Sequence, residues 1–189
     1  MALLVEISPP RFDVVVDLAY GHADNFMGAQ IYHNPRCFLH PEAAQCLDRA
    51  IAYAAEQSLR LKVTDAFRPS EAQWALWNHT PDPAYVADPR RGSPHSRGVA
   101  VDVTLLDPEG VECDMGGPVD DLTANGHHDA PGITPQQRAN RFLLLAIMTA
   151  AGFDWYVNEW WHYQLFQPRR FPVLSDRAAG TGMMIAPQP

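Results

Sequence analysis

Residues 93–106, SPHSRGVAVDVTLL, decide the fold and hold part of the candidate site. From Val99 the run is β-branched and apolar at alternate positions, which predicts a strand over 99–106. Side chains alternate across a strand, so Val99, Val101 and Val103 share a core face while Ala100, Asp102 and Thr104 share the other. A carboxylate in the middle of such a strand is costly to bury unless a cation receives it. Gly98 lets the backbone bend closely between His95 and the strand. A metal ion bridging His95 and Asp102 accounts for both residues. The alternative is a buried aspartate bonded to backbone N–H groups or to an arginine, with His95 on a loop.

Working outward, residues 12–20 (FDVVVDLAY) read as a strand entering the loop GHADNFMGAQIY. Pro41 stands at the first position of a helix that carries Ala44, Leu47, Ile51 and Ala54 at three- and four-residue intervals. Residues 59–67 (LRLKVTDAF) alternate as a half-buried strand, and Ser70 and Gln73 are spaced as a capping box for a second helix with Trp74 and Trp77 on one face. The stretch TPDPAYVADPRRGSP (80–94) has four prolines in fifteen residues and reads as an ordered loop or lid. After the 99–106 strand, Asp107–Gly110 forms a turn and 111–115 (VECDM) pairs back as a hairpin. Residues 116–133 form a long irregular loop. Thr134 caps a third helix with Pro135 at its first position and Gly152 at its end. An aromatic strand, 153–166 (FDWYVNEWWHYQLF), closes the domain. Helices and strands mix without a βαβ rhythm, so the expected class is α+β: a small antiparallel sheet with flanking helices. The expected organisation is one domain over 1–167 and a C-terminal tail over 168–189, either docked or flexible.

Bulk properties narrow the function. The chain has 189 residues, 47% hydrophobic and 19% charged, ordinary for a soluble globular protein. A net charge of −8 with no basic stripe argues against nucleic-acid and anionic-membrane partners. The three cysteines, Cys37, Cys46 and Cys113, are odd in number and lack C-x-x-C spacing, so they suit neither a disulfide framework nor a thiolate zinc site. Reduced thiols predict a cytoplasmic protein. The start, MALLVEISPPRFD, has no basic region and only a short apolar run, so no signal peptide is expected. No apolar stretch reaches the roughly 18 residues of a membrane span.

The second chemical context is Glu159-Trp160-Trp161-His162. A metal-assisted hydrolase needs one residue to hold the ion and another to take a proton from the attacking water. Strict strand alternation would separate Glu159 from His162, so the shared site requires a bend or bulge at Trp160–Trp161. The alternative, favoured by this segment alone, is an amphipathic strand whose tryptophans are core and whose charges are solvated. Two imidazoles and one carboxylate leave an open position on zinc, the composition of a catalytic site. The rival set, His127-His128-Asp129, lies in a polar loop without a strand beneath it and is expected to be solvent-exposed or to support the ligands from behind.

The patterns S-x-H-x-x-G-x-A-x-D (Ser93 to Asp102) and E-x-W-H (Glu159 to His162) together resemble the D-alanyl-D-alanine dipeptidase family. That family stands among the zinc D-Ala-D-Ala metallopeptidases related to lysostaphin and the hedgehog amino domain. The resemblance spans residues 12–167 and includes DLAYGHADNFMGAQIY (17–32), DAFRP (65–69), DMGGPVD (114–120) and NEWWHYQLF (158–166). It implies a zinc peptidase with one Zn²⁺ per chain, held by His95, Asp102 and His162, that hydrolyses D-alanyl-D-alanine to D-alanine in cell-wall metabolism. It further implies Glu159 as general base, Arg68 as oxyanion stabiliser, and Ser93, Asp120 and Tyr20 as lining the dipeptide pocket. A free ammonium wants a carboxylate, which Asp120, or its neighbour Asp121, supplies. Phe67 stands where tyrosine is expected and Pro94 where the family varies. The rivals are a D,D-carboxypeptidase or endopeptidase acting on peptidoglycan stems, and a non-catalytic zinc-containing binding module.

Overall fold

A computed structural model describes residues 3–185. Met1 and Ala2, which begin the apolar N-terminal run, and residues 186–189 of the expected tail lie outside the described residues. Two short strands, β1 (Val5–Glu6) and β3 (Phe38–Leu39), pair antiparallel as a sheet of their own. The main sheet has five strands in the order β2 (Val14–Val16), β4 (Arg60–Asp65), β5 (Ala100–Leu106), β7 (Glu159–Gln164) and β6 (Asp154–Tyr156). Only β2 runs parallel to its neighbour; the other pairs are antiparallel. The class is α+β, with the larger sheet mixed.

Helices α1 (Pro41–Glu56) and α3 (Pro135–Ala150) pack on each other and against β4, β6 and β7. Pro41 and Pro135 occupy first-turn positions as their missing N–H allows. At Thr134 the cap is a full capping box: Thr134 Oγ1 accepts from Gln137 N, and Gln137 Oε1 accepts from Thr134 N at 2.7 Å. Helix α2 (Ser70–His79) follows β4.

Several boundaries differ from the expected ones. The 12–20 strand is only β2, because the chain leaves the sheet edge at Asp17 and turns through Ala19–Gly21. The 153–166 segment is a hairpin, β6 turning at Val157–Asn158 into β7. The 111–115 return is a single bridge, Leu106 to Glu112, plus a Cys113 N–H to Leu105 carbonyl bond of 2.8 Å. No capping box forms at Ser70: Pro69 occupies the cap position without a side-chain bond, and Gln73 is buried with its amide donating to the Ala87 carbonyl at 2.7 Å. Strand β5 has no solvent face. Every residue from Ala100 to Leu106 is buried, and of these Asp102 lines the cavity described below.

Residues 168–185 pack on the domain. Leu174 N–H donates to the Ser96 carbonyl and the Leu174 carbonyl accepts from Ser70 N. Helix α4 (Asp176–Ala179) begins at Asp176, whose buried carboxylate gathers Thr181 Oγ1 and the N–H groups of Met183 and Met184. Met183 is fully buried.

Candidate active site

Strand β5 is central, so anything it presents on the face of Asp102 meets side chains from both neighbours. Asp102 pairs with His162 on β7 and with Asp65 on β4. Two irregularities bring these residues together. On β4 the ladder steps from Val63 to Asp65 across one residue of β5, so Thr64 is a bulge that turns Asp65 onto the face of Asp102. On β7, Tyr163 faces Trp155 and Glu159 faces Tyr156, so Trp160, Trp161 and His162 are extra against β6. That is the bend which Glu159 and His162 require to share a face.

His95 sits in the tight turn His95–Arg97 just before β5. Gly98 follows in the left-handed region at φ 67°, and a Cβ there would lie 2.6 Å from Leu4 Cδ2. His95 Nε2 is 3.1 Å from His162 Nδ1 and 3.3 Å from Asp102 Oδ2; His162 Nδ1 is 3.1 Å from Asp102 Oδ1. The ring nitrogens that point away are engaged: His95 Nδ1 lies 2.7 Å from the Ala66 carbonyl and His162 Nε2 lies 3.0 Å from Gln164 Oε1. A carbonyl oxygen can only accept, so both ring protons belong on those outer nitrogens. Two imidazole lone pairs and a carboxylate then converge with no donor among them. Such an arrangement calls for a cation, and among the described residues these three form the one cluster able to hold a metal ion. Burial opposes ionisation of Asp102, but the neighbouring imidazoles outweigh it and lower its pKa. Burial also opposes charging His162, yet Asp102 pushes its pKa up to about 9, so a proton competes for the cation position.

The His95–Asp102–His162 cluster opens on a cavity of about 310 Å³ that these three residues line together with Tyr20, Arg68, Ser93, Asp120 and Glu159. All eight residues singled out in the sequence therefore meet. Glu159 Oε2 stands 3.7 Å from His162 Nδ1. Burial, helped by the Asp102 charge, pushes the Glu159 pKa up to about 7 against the pull of His162 and Arg68. Arg68 is buried, its Nε and Nη2 donating to Asp65 Oδ2 at 2.8 and 2.7 Å and its Nη1 to Gln73 Oε1 at 3.1 Å. Its guanidinium carbon lies 4.9 Å above the Tyr20 ring. Ser93 Oγ accepts from His95 N at 3.2 Å, which leaves its hydroxyl hydrogen to donate elsewhere.

Asp120, not Asp121, faces the cavity. Its Oδ2 accepts from Tyr20 Oη at 2.9 Å, and burial, with the Asp102 charge adding, raises its pKa to about 7. Asp121 instead accepts from Thr123 N and Oγ1. The loop that carries both is clamped by Arg141, fully buried, which donates to the carbonyls of Met115, Asn125 and His127 at 2.6 to 2.8 Å.

The rival ligand set corrects an expectation. His128 is buried rather than exposed, its ring 4.9 Å from that of Trp155, and neither ring nitrogen has a partner among the described residues. Burial, with Arg141 adding, pushes its pKa down to about 4. It packs against the hairpin and lines no part of the cavity.

Sequence reasoning misses Asp65, Gln73, Gln164 and Tyr32, the last of which donates its hydroxyl to Asp65 Oδ1 at 2.9 Å. Asp65 had a signal: regular alternation would have put its charge on the core face with Leu61 and Val63, three residues before Arg68. Gln164 had one too, two residues beyond His162 on a strand and so on the same face.

Residues 4–177 match the model of the D-ala-D-ala dipeptidase family, Peptidase M15. The chain is 42% identical over 174 residues to the D-alanyl-D-alanine dipeptidase of Escherichia coli K12, covering 92% of this chain and 90% of that protein. It is 35% identical over 171 residues to the dipeptidase of the same name from Enterococcus faecium, with 79% and 84% covered. Against that from Streptomyces coelicolor it is 33% identical over 173 residues, again with 79% and 84% covered.

Proposed function

Because the chain belongs to the D-alanyl-D-alanine dipeptidase family, and is therefore a peptidase, we propose that it hydrolyses D-alanyl-D-alanine with one zinc ion held by His95, Asp102 and His162. One observation carries the reading: a buried two-histidine, one-aspartate group opens on a small cavity beside a glutamate poised near neutrality. The donor set suits zinc, with imidazole and carboxylate ligands and no thiolate.

Zinc, when bound, supplies Lewis acidity, polarising the scissile carbonyl and making hydroxide available near neutral pH. Glu159 takes the proton of the attacking water and passes it to the leaving amine; a pKa near 7 suits both transfers. Arg68, held from behind by Asp65, presents its charge to the developing oxyanion. Asp120 is a buried carboxylate among other carboxylates, so an incoming ammonium finds there the group most in need of a cation. The Ser93 hydroxyl donates to the substrate's oxygen atoms. The cavity suits a free dipeptide better than a peptidoglycan stem, whose chain has to continue past Asp120.

Cys37, Cys46 and Cys113 are unpaired, and no helix among the described residues is long and apolar enough to cross a membrane. We place the activity in the cytoplasm on the cysteine usage, because reduced thiols persist there.

Purified protein loaded with zinc is expected to cleave D-Ala-D-Ala, to ignore L-Ala-L-Ala and a stem pentapeptide, and to lose activity to a chelator. Glu159→Ala should bind zinc normally and lose about 10²–10⁴-fold in kcat. Zinc-loaded protein that leaves D-Ala-D-Ala intact refutes the reading.

A further inference from the structure

We propose that Gln164 is a positioning residue for the metal site, fixing His162 in the one tautomer that offers Nδ1 to the ion. The inference rests on the metal reading of His95, Asp102 and His162.

His162 turns Nδ1, not Nε2, toward Asp102 and His95, at 3.1 Å from each. Nδ1 can ligate only if the neutral ring carries its proton on Nε2. Nε2 has one partner among the described residues, the Gln164 side-chain oxygen at 3.0 Å. If Gln164 turned its NH₂ toward the ring instead, Nε2 would accept and the proton would move to Nδ1, where it blocks the ion. The ion and the Gln164 carbonyl therefore select the same tautomer, and each strengthens the other.

The two histidines are anchored in opposite senses. His95 ligates through Nε2 and rests its Nδ1 proton on the backbone carbonyl of Ala66, at 2.7 Å, an acceptor that no substitution removes. His162 depends on a side chain. Metal-ligating histidines commonly lean on a carboxylate at this position, which raises ligand basicity. Here Asp65, Asp102, Asp120 and Glu159 already crowd the site and Arg68 is the arginine among them, so a further carboxylate would add repulsion. A neutral amide orients the ring without that charge. The cost is a less basic ligand, so glutamate at 164 is expected to hold the ion at least as tightly as glutamine.

The test titrates metal-free native protein, Gln164→Met and Gln164→Glu with zinc against a chromophoric chelator. Methionine keeps the length of the side chain and replaces the carbonyl acceptor with a weakly accepting thioether. The native chain should bind one zinc, Gln164→Met about 10–100-fold more weakly, and Gln164→Glu as tightly as native or tighter. ¹⁵N spectra of the zinc-loaded native protein should show His162 metallated at Nδ1 and protonated at Nε2, a readout that needs no variant to fold. Ligation through Nε2, equal affinity in Gln164→Met, or a Gln164→Glu as weak as the methionine variant overturns the assignment. Native protein that binds no zinc overturns the metal reading itself, and this inference with it.

Discussion

Exchanging Asp65 for asparagine removes the charge on which Arg68 rests. Both guanidinium contacts to Asp65 Oδ2 are short, at 2.8 and 2.7 Å, and the two side chains are only 9% and 3% exposed, so solvent screens them little. Removing one partner of such a buried pair costs about 3–5 kcal/mol, because the survivor loses its nearest counter-charge. At about 2–4 °C per kcal/mol for a chain of this size, the melting temperature should fall by roughly 6–20 °C. A second effect follows from position. Among the described residues Asp102 is the other carboxylate within 4 Å of the guanidinium, at 3.8 Å, and attracts it with about 4 kcal/mol at an effective dielectric of 20. A released Arg68 swings toward Asp102 and competes with the ion for it, so zinc affinity should drop together with stability. Urea unfolding of metal-free protein measures the first effect and chelator competition the second. The pair is coupled, so Asp65→Asn with Arg68→Met should cost clearly less than the two single changes added together. A loss below about 1 kcal/mol, or strict additivity, refutes the claim that Asp65 aims Arg68.

Asp120→Asn should raise KM for the dipeptide about 10–100-fold, the worth of a hydrogen bond to a charged group, with kcat nearly unchanged; a fall in kcat at constant KM would move Asp120 out of the amine site. His128 is neutral when folded, with a pKa of about 4, but titrates near 6.5 when unfolded, so its stabilisation is complete above 6.5 and is lost as pH falls from there toward 4. His128→Phe should flatten that acid limb by about 1.4 kcal/mol per pH unit in urea unfolding, and an unchanged slope would clear His128 of the effect. Arg141→Met leaves three loop carbonyls without a donor, and hydrogen exchange over 115–127 should accelerate while KM rises. Exchange confined to α3 would show that the clamp does not hold the loop.

Much of this architecture is legible in the sequence because it depends on near neighbours. The cap at Thr134, Pro41 and Pro135 at helix starts, and the apolar alternation into β5 are local rules, and the structure keeps them. The failures arise where a distant partner outbids the local one. Ser70 and Gln73 have capping spacing, but Gln73 is drawn inward by Arg68 and the Ala87 carbonyl. His128 reads as polar loop, yet Trp155 of the hairpin covers it. The site residues are legible as types in a pattern, whereas the bulge at Thr64 and the slip on β7 that assemble them exist only once strands pair.

The central place of β5 has a consequence for the order of events in folding. Asp102 and His162 are 60 residues apart in the chain, and His95 and His162 are 67 apart, so no fragment holds the ligand set. On the proposed metal site, an ion would be captured only after β5 and β7 have docked, a long-range contact whose loop-closure entropy must be met first. It then clasps chain regions that nothing local keeps together. Saturating zinc, at about 1,000 times its dissociation constant, should add about 4 kcal/mol to the native state. That gain should appear as slower unfolding with refolding unchanged, so the metal acts as a latch on the finished sheet and not as its nucleus.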